Sequence, residues 1–175
     1  MNEELVQIVD DNGQTIGSME KLAAHEHGGT LHRAVSVLLF NSRGELLIQR
    51  RAATKYHFGG LWANSCCSHP APGEEPLAAG RRTCERELGI SPELREVGAF
   101  TYGAHDDRSQ LTEREYDHVL TADWDGELHP NSTEVQEIRW VALDALRSEM
   151  QREPERFAPW LSHILDGFAT VSRPS

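Results

Sequence analysis

The sequence predicts an α+β (α/β-type) domain: a mixed β-sheet flanked by helices and preceded by an N-terminal hairpin extension. Three observations predict it. Short apolar runs recur between turns rich in Gly, Asn and Asp, the punctuation expected of strands. One long amphipathic stretch stops at a glycine in the middle of the chain, and two further helical stretches close it. No internal repeat or low-complexity tract interrupts the pattern, and 175 residues suffice for a single domain with its own core. Residues 1–175 therefore read as one domain, with the core at about 30–168.

Taken in order, Leu5 to Val9 and Thr15 to Gly17 are strands joined by the tight turn Asp11-Asn12-Gly13. Ala34 to Phe40 and Glu45 to Arg50 form a second hairpin across Asn41-Ser42-Arg43-Gly44. A Gly- and Pro-punctuated loop follows from Thr54 to Gly73. Glu74 to Leu88 is a helix with Leu77, Ala78, Cys84 and Leu88 on one face and Gly89 as its stop. Val97 to Tyr102, Tyr116 to Ala122 and Glu137 to Val141 are strands. Leu143 to Met150 and Phe157 to Phe168 are helices, and Ser172 to Ser175 is expected to fray.

The net charge is −11, which excludes a general nucleic-acid binder or a protein that adheres to anionic membrane, since both need a basic face. It leaves room for a small anionic substrate where cations gather locally, as at Arg50, Arg51 and Lys55 and again at Arg81 and Arg82. The apolar run Val37 to Phe40 is far too short to span a membrane. Met1 to Glu4 lacks the basic start and apolar stretch of a secretory signal. The three cysteines include the adjacent pair Cys66 and Cys67 and make no disulfide framework. A cytoplasmic protein, monomeric or weakly dimeric, is the expectation.

Chemically active residues lie in separated segments: His25 and His32, then Cys67 and His69, then Glu113 and Glu115. Three imidazoles and two carboxylates suit an intermediate divalent metal, because mixed nitrogen and oxygen donors favour Mn, Fe, Co or Zn over Ca. Glu113 and Glu115 stand two apart at the entrance of a strand, so both carboxylates can face one ion. The competing readings are ordinary ones. Cys67 and His69 with His25 and His32 would also make a structural zinc site. Glu113 and Glu115 would also make a solvent-facing strand edge, and Trp62 and Trp160 would also be core. His27 competes with His25 as a ligand, while His57, His105, His118, His129 and His163 read as surface groups.

The stretch Glu74-(x)7-Arg82-Thr83-Cys84-Glu85-Arg86-Glu87-Leu88-Gly89-Ile90 resembles a degraded Nudix box, the loop–helix motif that holds Mg on a diphosphate. Arg82, Glu87 and Gly89 match it, whereas Thr83 and Arg86 stand where two metal-binding glutamates belong. A hydrolase needs several carboxylates to hold Mg and activate water, so the loss implies a diphosphate that is bound but not cut. With Glu20-Lys21-Leu22-Ala23-Ala24-His25, Leu31-His32-Arg33-Ala34, Trp62 to Pro70 and Thr112-Glu113-Arg114-Glu115, the chain is similar to the type 1 isopentenyl-diphosphate isomerases of the Nudix superfamily. The likeness runs from the first hairpin to Phe157-Ala158-Pro159-Trp160. Phe58-Gly59-Gly60 departs from the Phe/Trp-Pro-Gly more usual in the family.

The resemblance implies a Nudix-like fold and a prenyl diphosphate as the small-molecule substrate. It implies His25, His32, His69, Glu113 and Glu115 as ligands of one Mn, Zn or Mg ion, and Glu87 as ligand of a second ion, Mg, carried by the diphosphate. Cys67 becomes one proton carrier and Glu115, assisted by Tyr102, the other. Lys21, Arg51, Lys55 and Arg82 become diphosphate-binding cations, and Trp160 covers the hydrocarbon end. Moving a double bond by one position adds a proton at one carbon and removes another at C2. The intermediate resembles a tertiary carbocation that water would quench, so the pocket must be dry. Trp62, Tyr102 and Trp160 are candidate walls, each contributing about 1–2 kcal/mol of cation–π stabilisation when desolvated. The rivals are a Nudix hydrolase acting on a nucleoside or prenyl diphosphate, and a non-catalytic binding protein stabilised by metal.

Overall fold

The computed structural model describes residues 4–55 and 57–168, so the frayed tail expected at Ser172 to Ser175 lies outside the described residues. The chain opens with β1 (Leu5–Val9) and β2 (Thr15–Glu20), an antiparallel hairpin. A short helix, α1 (Lys21–His25), follows directly and has no counterpart in the sequence prediction. Its start is fixed by the Glu20 carboxylate, which accepts hydrogen bonds from the backbone N–H of Leu22 and Ala23 at 3.0 and 2.9 Å. A five-residue helix holds too few intrahelical bonds to leave a periodic signal in sequence.

β3 (His32–Phe40) is the centre of the sheet. Val35, Val37 and Leu39 face one core cluster and Leu38 and Phe40 the other, which is why the run reads as continuously apolar. β4 (Leu46–Arg51) returns beside it. The loop expected from Thr54 to Gly73 contains two short strands, β5 (Trp62–Ala63) on β4 and β6 (Cys66–Ser68) on β3. Their brevity hid them, since two or three residues carry no alternation.

Helix α2 (Pro76–Leu88) covers the Val35–Val37–Leu39 face. It buries Ala79 and leaves Ala78 exposed, a rotation of one residue from the expected stripe. Gly80 lets the helix lie close, because a Cβ there would sit 2.5 Å from Leu120 Cδ1. Gly89 takes φ +65° and donates its N–H to the carbonyls of Cys84 and Glu85, ending the helix as expected. The long antiparallel pair β7 (Arg95–Asp106) and β8 (Leu111–Asp123) follows, and β8 runs parallel to β3 along its length. β8 starts earlier than expected, so Glu113 and Glu115 stand inside the strand rather than at its entrance.

β9 (Val135–Val141) pairs with β4, and α3 (Leu143–Arg152) packs on the second face through Leu146. The last helix, α4 (Trp160–Phe168), begins after Pro159 rather than at Phe157. Ala158, the residue before that proline, is held extended by its N–H bond to Trp62 O at 2.7 Å. Helices thus flank a mixed sheet on both faces, the layered architecture predicted. Among the described residues no helix is long and apolar enough to cross a membrane.

Candidate active site

Four elements meet at the start of β3. α1 ends in His25, β3 opens with His32, His69 follows β6, and β8 brings Glu115 into register beside His32. Alternation along β8 then puts Glu113, Glu115 and Asp117 on one face. One donor atom from each of His25, His32, His69, Glu113 and Glu115 lies within 4.8 Å of all the others. The five predicted ligands are therefore one cluster, and all are buried. The choice between His25 and His27 is decided by burial, since His27 is exposed.

The donor set fits a divalent ion. His25 Nδ1 and His32 Nδ1 each lie 2.7 Å from a carbonyl, of Lys21 and Thr30. A carbonyl only accepts, so both Nδ1 atoms carry the proton and both Nε2 lone pairs face the cluster. His32 Nε2 is buried without a hydrogen bond and lies 3.8 Å from Glu115 Oε1. Burial pushes the His32 pKa down to about 4, which keeps the ring neutral and its lone pair open. His69 Nε2 is 3.1 Å from Glu115 Oε1, and His25 Nε2 is 3.3 Å from Glu113 Oε2. Two adjacent buried carboxylates do not both ionise freely without a cation. Burial and the neighbouring charge of Glu113 hold Glu115 well above the usual range. Burial also opposes ionisation of Glu113, but hydrogen bonds with Glu115, His25 and His57 hold it well below.

Cys67 lines the same small cavity, about 60 Å³, together with Ser36, Glu115 and Trp160. Its thiol donates to Asn64 Oδ1 at 3.1 Å, and the same oxygen accepts Trp160 Nε1–H at 3.0 Å. Burial pushes the thiol up to about 12, so it is uncharged at neutral pH. The thiol stands apart from the imidazole–carboxylate cluster, which removes the structural zinc site of Cys67 and three histidines. Cys66 faces the other side of β6 and is buried with Cys84 beneath α2. Tyr102 stands opposite Glu115 across the β7–β8 pair, and burial followed by the charge of Glu113 raises its hydroxyl pKa.

Lys21, Arg51 and Lys55, the cations expected at a diphosphate, line the cavity. Arg51 also lies 5.3 Å over the Trp160 ring, and Lys55 pairs with Glu134. Arg82 does not line it. Its guanidinium is held by Glu74 at 2.9 and 3.0 Å and donates to His69 O at 3.2 Å, so it braces the loop that carries a ligand. Arg86, one turn on, lines the cavity instead. Glu87 is not among the residues that line the cavity; it is buried, with Gln49 donating to Oε1 at 3.0 Å and Oε2 without a hydrogen bond. Burial raises its pKa, and the orphaned oxygen suits a cation. Trp62 is core rather than a cavity wall, with Arg139 over its ring at 5.0 Å.

Three residues escaped the sequence reading. His57, expected at the surface, is buried with Nε2 bonded to Glu113 Oε1. Asn64 aligns the thiol. Asp117 accepts from Ser36 Oγ at 2.7 Å behind Glu115, and burial lifts its pKa to about 7. His118 is also half-buried rather than superficial, bonded to Arg33 and Glu96. A larger cavity of about 960 Å³ between the Ala53–Leu61 loop, the β7–β8 tip and α3–α4 shares only Lys55 and His57 with the site. It lacks the converging imidazoles, carboxylates and thiol that line the smaller one.

The fold and the α2 motif define a Nudix-domain protein, and the NUDIX domain family matches residues 30–161. Among solved structures, the chain superposes on DR0079 from Deinococcus radiodurans with a TM-score of 0.77 at 19% identity, covering 98% of this chain and 100% of that one. It superposes on a MutT protein from Methanosarcina mazei with a TM-score of 0.67 at 17% identity, covering 82% and 96%. Sequence relatives are closer. The isopentenyl-diphosphate Delta-isomerase of Nocardia farcinica is 44% identical over 161 residues, 92% of each chain. That of Halorhodospira halophila is 45% identical over 164 residues, 93% of each. The chain belongs to the isopentenyl-diphosphate isomerase family.

Proposed function

We propose that this protein interconverts isopentenyl and dimethylallyl diphosphate by moving protons at a dry, thiol- and carboxylate-lined cavity. The observation that carries the reading is that Cys67 and Glu115 line one cavity whose lining also holds Lys21, Arg51, Lys55 and Arg86. The cations take the diphosphate, and the hydrocarbon end lies toward Cys67 and Trp160. One carrier gives a proton to the terminal alkene carbon while the other removes a proton from C2, so the double bond shifts and no net proton is consumed. In the reverse direction the carriers exchange roles. Tyr102 supports Glu115 from the neighbouring strand, and the Trp160 face steadies the cationic intermediate.

His25, His32, His69, Glu113 and Glu115 would hold one Mn, Zn or Mg ion, and Glu87 a Mg ion brought by the diphosphate. Such cations would offset the buried carboxylates and the substrate's charge. Asn64 orients the thiol, and Arg82 steadies the backbone of His69. The three free cysteines fit a reducing, cytoplasmic setting.

Hydrolysis is the weaker reading for a specific reason. Thr83, where a Nudix hydrolase has a carboxylate, is buried and spends its hydroxyl on Ala79 O at 2.8 Å, and Arg86 carries the opposite charge. Incubation with isopentenyl diphosphate and Mg, followed by product analysis, separates the readings. Dimethylallyl diphosphate supports isomerisation, release of inorganic phosphate or pyrophosphate supports hydrolysis, and no product points to a binding protein.

A further inference from the structure

His57 sits in the turn after β4, in a segment whose glycines and charges suggest a surface loop, yet its side chain is only 7% exposed. The ring reaches the imidazole–carboxylate cluster, 4.8 Å from the His25 ring, and its Nε2 bonds Glu113 Oε1. It lies outside the set of five convergent donors. The surrounding loop is tied in place. Arg51 donates to the His57 carbonyl at 3.3 Å, and the next residue, Phe58, is held at φ +51° with its N–H on Asp106 Oδ2 at 3.0 Å. A phenylalanine in the left-handed region is costly, and such positions persist where neighbours over-determine them.

Glu113 has two oxygens with different duties. Oε2 is the one that faces His25 within the cluster, at 3.3 Å. A carboxylate held only from its Cα side can rotate, present both oxygens to a cation, or turn toward Glu115. An N–H fixed on Oε1 removes that freedom. We infer that His57 is a positioning residue for the metal centre, gripping Glu113 by Oε1 so that Oε2 alone is offered to the ion. The inference rests on the reading of the cluster as a metal site. It makes Glu113 a carboxylate fixed from outside the set of five donors, whereas the Glu115 oxygen is met by a member of that set, His69, at 3.1 Å. It also joins the anion-binding segment to the metal centre, because Arg51 holds the backbone of the residue that holds Glu113.

The test uses the full chain loaded with Mn²⁺ or Co²⁺ and two variants. His57→Phe keeps a ring of similar size without a donor, and His57→Gln restores an N–H that can reach Oε1. The measurements are metal affinity by competition with a chelator and the visible spectrum of the Co²⁺ form. His57→Phe should weaken affinity about 10- to 100-fold, as loss of an outer partner does, while keeping one ion per chain and altering the Co²⁺ bands. His57→Gln should recover most of the affinity. If the larger ring unsettles the melting curve, His57→Ala takes its place with the same expectation. Unchanged affinity and spectrum in the donor-less variant overturn the inference. So does loss as complete as His25→Ala without rescue by Gln, which would make His57 a ligand. A native chain that takes up neither ion overturns the metal reading itself, and this inference with it.

Discussion

The imidazole–carboxylate end of the cavity and its cationic rim are built by different means. At the first, pairing among β3, β6, β7 and β8 holds the backbone of His32, Cys67, Glu113 and Glu115 in hydrogen-bonded register, His25 comes from α1 and His69 from the residue after β6, and all five clustered donors are buried. At the second, Lys21, Arg51, Lys55 and Arg86 come from a short helix, a strand end, a turn and an exposed helix face. On the proposed function the difference follows from two tasks. Proton transfer to carbon depends on placement within a few tenths of an ångström, which strands supply. A diphosphate is a diffuse charge that several adjustable cations can meet, with little demand on any one.

That contrast sets how each end should fail. The largest effects belong to the fixed end: Cys67→Ala and Glu115→Gln should each lower turnover by about 10²–10⁴-fold, measured by product analysis. Only the second should also reduce metal content. Cys66→Ala should change little, because its thiol faces α2. In heavy water the native protein should place deuterium in the allylic product, and multiple turnover without exchange would break the assignment of solvent-exchanging carriers.

Glu87→Gln should come next, lowering affinity for the diphosphate about tenfold while the histidine-bound ion stays. A fall in metal content without a change in affinity would put Glu87 at the wrong end. At the rim, Arg86→Ala and Lys55→Ala should each raise KM about tenfold with kcat nearly unchanged, about 1.4 kcal/mol of uniform binding, shrinking with added salt. An equal fall in kcat would show the rim to be as exacting as the centre.

The smallest effect concerns the brace between them. Arg82 hydrogen bonds hold the Glu74 carboxyl below its usual range. A lowered folded pKa adds stability above the unfolded value, and that stability is lost as pH falls through the folded one. Glu74→Gln should therefore cost about 0.5–1 kcal/mol at pH 7, discounted for its partial exposure. The gap from the native protein should close as pH falls below about 4.5. A gap that widened on acidification would contradict the brace.

The sequence told more about the fixed end than about what surrounds it. Glu113 and Glu115 announce a shared face by their spacing, and β3 announces itself by an unbroken apolar run. The Nudix-like helix is legible from Glu87 and Gly89. The rest depends on long-range partners that no local pattern records. Arg82 and Arg86 are one helical turn apart, and it is the Glu74 carboxylate and the His69 carbonyl that hold Arg82 out of the cavity lining. His57 lies in a loop without periodicity, and its burial follows from its own contacts with Arg51 and Glu113 and from the hold of Asp106 on Phe58. Helix α1 is capped by a glutamate rather than the usual Ser, Thr, Asp or Asn, so the start signal was absent as well.

One amide oxygen, Asn64 Oδ1, accepts from both the Cys67 thiol and the Trp160 indole. Cys67 and α4 are thereby keyed to a single side chain that lies 96 residues from Trp160 in sequence. The five clustered donors and the thiol all precede α4 in the chain, so the amide that orients the thiol is itself shared with an element that comes after them. On the proposed function, removal of α4 should therefore abolish isomerisation while the imidazole–carboxylate cluster stays assembled, as product analysis beside metal content would show.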